Sequence, residues 1–186
     1  MARLWLQPPK TTPSKRTSKD SSQVSFGEAT QPTLRGRALR LLARRDWSRE
    51  ALRTRLLAAA GNEDASPGQV DALLDDFAAR GWLSDARYAE AIVRSRQSRN
   101  GKTAIARRLK QAGISDEDSA IALSSIDSEQ EFQAALMLWR RKFGAPPAGE
   151  KEKVRQVRFL VSRGYSLGLA LRVLKQGGAS VEGSGE

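Results

Sequence analysis

Apolar residues recur along this chain at intervals of three and four and are repeatedly cut short by glycine, a pattern that predicts a succession of short amphipathic helices. Val70, Leu73, Leu74 and Phe77 share one such face, and Gly81 stands where a helix ends by entering the left-handed region open to glycine. Ser84 or Asp85 can then accept a hydrogen bond from the free amides of a new first turn. Trp82 and Leu83, caught between the two helices, are both expected to turn inward as a hydrophobic plug, with Trp82 and Tyr88 setting the angle between neighbouring units.

The same reading extends to either side. Leu39, Leu41 and Leu42 predict a short helix closed by Trp47; Ser48 caps a second one, carrying Leu52, Leu56 and Leu57 and ending at Gly61. Residues 62–66 read as a loop, and Pro67 suits the first turn of the third helix. Beyond Gly81, Tyr88, Ala91 and Ile92 mark the inner face of a fourth helix, Ile105 and Leu109 that of a fifth, and Ala120 and Leu123 that of a sixth capped by Ser115. Phe132, Leu136 and Trp139 belong to a seventh, Val154, Val157 and Leu160 to an eighth, and Leu169, Leu171, Val173 and Leu174 to a last one led in by Tyr165 and Ser166.

The helix ends repeat. Leu57-x-x-x-Gly61, Leu109-x-x-x-Gly113 and Leu160-x-x-x-Gly164 recur at near-equal spacing, each at the end of a middle helix. One such match is weak, because any glycine-terminated helix produces it. Three, with matching helices around them, predict tandem three-helix units. The expected fold is all-α, with three repeats stacked in an elongated, curved array over 37–83, 84–126 and 127–175. Residues 1–36, rich in Ser, Thr, Pro, Lys and Gln without apolar period, read as a disordered basic tail, and 176–186 as a flexible Gly/Ser-rich end.

Charge changes this picture more than any other property. The formal net charge is +11, which points to a polyanionic partner. It is unevenly spread: residues 37–86 hold eight basic and eight acidic residues, 87–110 hold eight basic against the lone Glu90, 111–138 hold six acids and no base, and 139–175 hold ten bases against two acids. A solvated face normally mixes its signs, which 87–110 hardly does. Arg94, Arg96, Arg99 and Lys102, with Arg107, Arg108 and Lys110 straddling the Ile105 and Leu109 face, therefore form a candidate phosphate track. Arg140, Arg141, Lys142, Lys151 and Arg155 extend it.

Composition narrows the chemistry. The chain has no cysteine and no histidine, which removes thiolate zinc sites, disulfides and the usual neutral-pH general base. Gly101-Lys102-Thr103 imitates the end of a phosphate-binding loop, but Arg96 stands where that motif needs glycine, and a helix precedes it instead of a strand. Asp75 and Asp76 point about 100° apart on a helix, and Asp116, Glu117 and Asp118 sit where acids stabilise a helix start. No enzymatic activity, no metal and no cofactor are expected. No apolar run is long enough to span a bilayer, so a cytoplasmic location is the expectation.

Residues 37–174 resemble the RecX family, regulators of the RecA recombinase. The pieces that carry the resemblance are Arg37-Ala38-Leu39 to Leu42, Ser48-Arg49-Glu50-Ala51-Leu52 to Leu56, Gly81-Trp82-Leu83-Ser84-Asp85-Ala86-Arg87-Tyr88-Ala89, Gly101 with Leu109-Lys110-Gln111-Ala112-Gly113-Ile114, and Arg158-Phe159-Leu160 with Arg163-Gly164-Tyr165-Ser166. The family's last corner often has Phe where Tyr165 stands. The resemblance implies three three-helix repeats lying in the groove of the RecA filament on single-stranded DNA, restraining its growth, ATP turnover and strand exchange. RecA is then the main partner, single-stranded DNA a weaker electrostatic one, no membrane is involved, and the chain is expected to be a monomer. The rival reading is a helix-turn-helix DNA-binding regulator. Its weakness is that the most basic helix has no Asn or Gln placed for bidentate base reading, apart from Gln111 at its end.

Overall fold

The chain divides into two units, Met1–Gln31 and Pro32–Glu186. A computed structural model describes residues 33–64 and 66–182, all within the second unit. The tail reading over 1–36 lies, for residues 1–32, outside the described residues.

Among the described residues there are nine helices in three sets. The first comprises α1 (Leu34–Leu42), α2 (Arg49–Asp64) and α3 (Pro67–Ala79); the second α4 (Asp85–Arg96), α5 (Lys102–Gln111) and α6 (Asp116–Ser124); the third α7 (Ser128–Lys142), α8 (Glu150–Ser162) and α9 (Leu167–Glu182). Each set encloses its own apolar cluster. Leu52, Leu56, Leu74 and Phe77 centre the first, Tyr88, Val93, Ile105 and Leu109 the second, and Phe132, Trp139, Leu160 and Tyr165 the third. The fold is all-α and built of tandem three-helix repeats.

Local sequence explains most boundaries. Thr33, Ser84, Ser115 and Asp127 accept hydrogen bonds from first-turn amides of their helices, and Ser66 forms a reciprocal capping box with Gln69. Because Thr33 caps it, α1 starts at Leu34, inside the stretch read as tail. Gly81, Gly113 and Gly164 adopt φ of 68°, 76° and 89°. At each, the following amide reaches back five residues, from Trp82 to Phe77, Ile114 to Leu109 and Tyr165 to Leu160, closing the helix end.

Several expectations are corrected. Gly61 does not end α2, which runs on to Asp64 through the residues read as loop. The glycine stop of the first repeat is Gly81, after α3. Gly113 and Gly164 are each pressed against a preceding repeat, as shown below, and no described repeat precedes α2. Trp82 is 43% exposed and Leu83 alone fills the corner. Successive residues beyond a left-handed glycine cannot both face one core, so Trp82 lies over Phe77 at 5.5 Å with the Arg35 and Arg80 guanidiniums on its ring. Val154 and Leu171, expected inward, are exposed, and Gln156 and Ala170 take the inner positions of α8 and α9. In α6 the buried positions are Ser119 and Ala122, with Ala120 outside. Finally, α9 continues to Glu182 because Gly177 serves packing: an added Cβ would stand 2.4 Å from Trp139 Cζ3.

Candidate polyanion-binding surface

Adjacent repeats meet through the start of one middle helix and the end of the next. Gly164, closing α8, abuts Ala104 in the first turn of α5, and Gly113, closing α5, abuts Glu50 in the first turn of α2. At the second joint the contact is backbone on backbone. The Gly101 amide donates to the Arg163 carbonyl (3.0 Å) and the Thr103 amide to the Gly164 carbonyl (3.2 Å). Between them the Lys102 amide donates to the Glu131 carboxylate of α7 (2.9 Å). Gly101 has no side chain to cap α5, so the third repeat satisfies these amides instead. These are the donors a phosphate would need at Gly101-Lys102-Thr103, and they are already taken. At the first joint Ser48 caps α2 itself, and Asp85 of α4 adds one bond to the Arg49 amide at 2.8 Å.

Tyr165 lies in the third core and, among the described residues, its buried hydroxyl finds no hydrogen-bond partner. Burial, with the charge of Glu131 adding, pushes its pKa up to about 12. The unfolded chain ionises first, near the ordinary value of about 10. The contribution to stability is therefore whole below that pH and is lost as pH climbs through about 12. Tyr165→Phe is expected to stabilise the fold by about 1 kcal/mol at neutral pH by removing the orphaned hydroxyl. It should also reduce the loss of stability between pH 10 and 12, as urea unfolding at both pH values would show.

The basic side chains fall into two populations. Ion pairs concentrate in the first repeat: Arg35 and Arg80 hold Asp76, Arg49 holds Asp75, Arg53 holds Asp71, and Arg87 reaches Asp46. Arg80 and then Arg35 hold the Asp76 carboxyl below its usual range, and Arg53 does the same for Asp71. Asp75 and Asp76 are thus occupied as structural partners, and no group of three or more potential metal ligands exists among the described residues. In the second and third repeats, Arg94, Arg96, Arg99, Arg107, Arg108, Lys110, Arg140, Arg141, Lys142, Lys151 and Arg155 are all exposed, and no ion pair among the described residues reaches them. Lys102 is half-buried at the joint.

Three of these residues are brought to shared clefts. Arg94, Arg99 and Arg141 line two adjoining clefts of about 330 and 710 Å³ that share Gln97 and Gln130 as walls. The clefts run along the seam between the second and third repeats, beside the exposed Ile121 and Met137. Arg107, Arg108 and Lys110 line neither of these two clefts; they cover the outer side of α5, away from the buried Ile105 and Leu109. Arg155 lies over the Phe143 ring at 5.8 Å. The glutamines and Met137 of the seam had no signal in the sequence, since a polar residue on a solvated helix looks the same wherever the next repeat falls.

Comparison with known proteins bears on what such a surface serves. The model of the second three-helix domain of RecX matches residues 84–123, and that of the third matches residues 129–174. Over 145 residues the chain is 41% identical to the regulatory protein RecX of Leptothrix cholodnii, covering 78% of this chain and 89% of that protein. The chain belongs to the RecX family. The RecX of Ralstonia nicotianae is 36% identical over 157 residues, which is 83% of this chain and 94% of that one. The crystal structure of RecX from Lactobacillus salivarius superposes with a TM-score of 0.64 at 17% identity, covering 77% of this chain and 93% of that one, a likeness of fold. The RecX proteins it matches bear the name regulatory protein. No helix among its described residues is long and apolar enough to cross a membrane.

Proposed function

We propose that the chain binds the filament that RecA forms on single-stranded DNA and restrains its ATP turnover and strand exchange, acting as a cytoplasmic monomer. The observation that carries this reading is the segregation of charge. Arg35, Arg49, Arg53 and Arg80 of the first repeat are held by internal carboxylates, while Arg94, Arg96, Arg99, Arg107, Arg108, Arg140, Arg141 and Arg155 of the second and third stand exposed with no ion pair among the described residues reaching them. Such a surface gains by releasing the counterions of a phosphate backbone. In this reading Arg94, Arg99 and Arg141 engage the filament along the seam, with Arg107, Arg108 and Lys110 on α5 and Lys151 and Arg155 on α8 adding phosphate contacts.

Binding of labelled single-stranded DNA, measured with and without RecA, tests the reading. Affinity for the filament is expected to exceed that for naked DNA, and the double variant Arg107→Glu, Arg108→Glu should weaken filament binding about tenfold or more. Its salt slope should flatten by about 1.4, from about 0.7 per lost phosphate contact on a single strand. A tight, sequence-dependent complex with duplex DNA that ignores RecA would instead support a helix-turn-helix regulator. Unchanged filament binding by the double variant would remove α5 from the surface.

A further inference from the structure

The third repeat carries an apolar feature that its own core does not use. Eight large apolar side chains are exposed among the described residues, and four of them lie on α8 and α9: Val154 (47%), Val161 (44%), Leu167 (59%) and Leu171 (43%). Val154 and Val161 are seven residues apart and share a face of α8; Leu167 and Leu171 are four apart and share one of α9. Val154, Val161 and Leu171 border a groove of about 390 Å³ between the two helices, with the half-buried Val157 among its lining. Scattered single apolar residues need no explanation, but a two-helix cluster around a concavity does.

The rim of this groove is basic on balance. Lys153 and Arg158 line it, and Lys151 and Arg155 continue the positive charge along α8. Glu150 is the acid in the lining, and it is engaged by Lys153 at 3.4 Å. Two occupants are disfavoured by that sign: the chain's own residues 1–32, which carry five basic and two acidic residues, and a second copy of a chain whose net charge is +11. A lipid surface is disfavoured by shape, because membrane-seeking helices present their apolar residues on a protruding face, whereas these edge a recess.

We infer that the α8–α9 groove is a docking site for an acidic, amphipathic segment of a protein partner, whose apolar side chains enter between Val154, Val161 and Leu171 while its carboxylates meet Lys153 and Arg158. Helix-in-groove recognition of this kind needs apolar anchors at helical spacing in the partner and complementary charge at the rim. The assignment of that partner to the protein component of the RecA filament rests on the function proposed above. The groove itself does not. Under both, the α8–α9 groove reads protein while the outer side of α5, with Lys151 and Arg155 of α8, reads phosphate.

Two measurements separate the groove from its partner. In the first, a fluorescein-labelled helical peptide of leucine and glutamate, leucines recurring every three and four residues, is titrated with the full chain and followed by anisotropy. Binding is expected, with a weakening of about tenfold or more in the double variant Val161→Asp, Leu171→Asp. Because both residues are exposed, circular dichroism should match the parent. Lys153→Glu, Arg158→Glu should lose the acidic peptide and gain a leucine-lysine one, an exchange that a merely destabilised variant cannot produce. No binding by the parent, equal binding by the aspartate variant, or binding to phosphatidylglycerol vesicles in place of the peptide would overturn the proposal. In the second, the same aspartate variant is assayed on RecA filaments and on naked single-stranded DNA. It should lose its effect on the filament and keep its affinity for DNA. If the peptide result holds and the parent has no effect on RecA, the filament reading fails and the groove stands. If the parent acts on RecA and the aspartate variant acts equally well, the groove is not how the filament is engaged.

Discussion

Gly164→Ala is expected to cost the fold about 3–4 kcal/mol, one of the two largest effects of any single substitution considered for this chain. Two independent penalties combine. An alanine at φ of 89° sits in the left-handed region, which costs about 1–2 kcal/mol. Its Cβ would stand 2.3 Å from the Ala104 backbone nitrogen, so the joint must open. Opening it strips the Gly101 and Thr103 amides of their acceptors, at about 1 kcal/mol each. Two other glycines supply the controls. Gly81 shares the left-handed backbone, at φ of 68°, but a Cβ there meets nothing within 4 Å, so Gly81→Ala should cost only the conformational part of about 1–2 kcal/mol. Gly68 lies within α3 with open space around it, and Gly68→Ala should stabilise by up to about 1 kcal/mol. Urea unfolding should rank the three in that order. Equal costs for Gly164→Ala and Gly81→Ala would mean that the joint between the repeats carries no energy of its own.

Trp139→Ala should destabilise comparably or more, by about 3–5 kcal/mol. The indole is fully buried in the third core and fills the space left by Gly177 of α9. Its N–H donates to the side-chain Oε1 of Gln156 at 2.7 Å. Truncation leaves a cavity and an unpaired buried amide oxygen together, the second costing about 1–3 kcal/mol. The pair can be dissected. Gln156→Leu orphans the indole N–H and should be clearly unfavourable, whereas Trp139→Phe with Gln156→Leu removes both polar ends and should recover part of that loss. A double-mutant cycle with no coupling would show that the hydrogen bond adds nothing beyond packing. Because the third repeat satisfies the first-turn amides of α5, Trp139→Ala should also raise hydrogen exchange at Gly101 and Thr103, in a neighbouring repeat.

Much of this architecture was legible from residue order because it is local. Serine and aspartate caps, glycine stops and apolar spacing act within a few residues, and they located the nine helices of the described residues to within a turn at most ends. Failures occurred where the next repeat decides. Gly61 matches Gly113 and Gly164 in sequence, but the helix runs on past it to Asp64, whereas the latter two are each pressed against a preceding middle helix. Trp82 and Leu83 compete for one corner, and which one wins depends on the direction the chain takes after Gly81. Valines 154 and 161 have the spacing of core residues and border a groove instead. The basic residues were all identifiable, yet which of them share a seam follows from how repeats two and three dock, a relation set by backbone hydrogen bonds that no side-chain pattern announces.

The central claim, regulation of the RecA filament by this chain, is tested most directly by RecA-driven ATP hydrolysis on single-stranded DNA. Titration of the full chain should suppress hydrolysis at amounts well below one chain per RecA monomer, with the Arg107→Glu, Arg108→Glu variant needing about tenfold more for the same suppression. Hydrolysis that continues unchanged at stoichiometric or greater amounts of the chain would contradict the account.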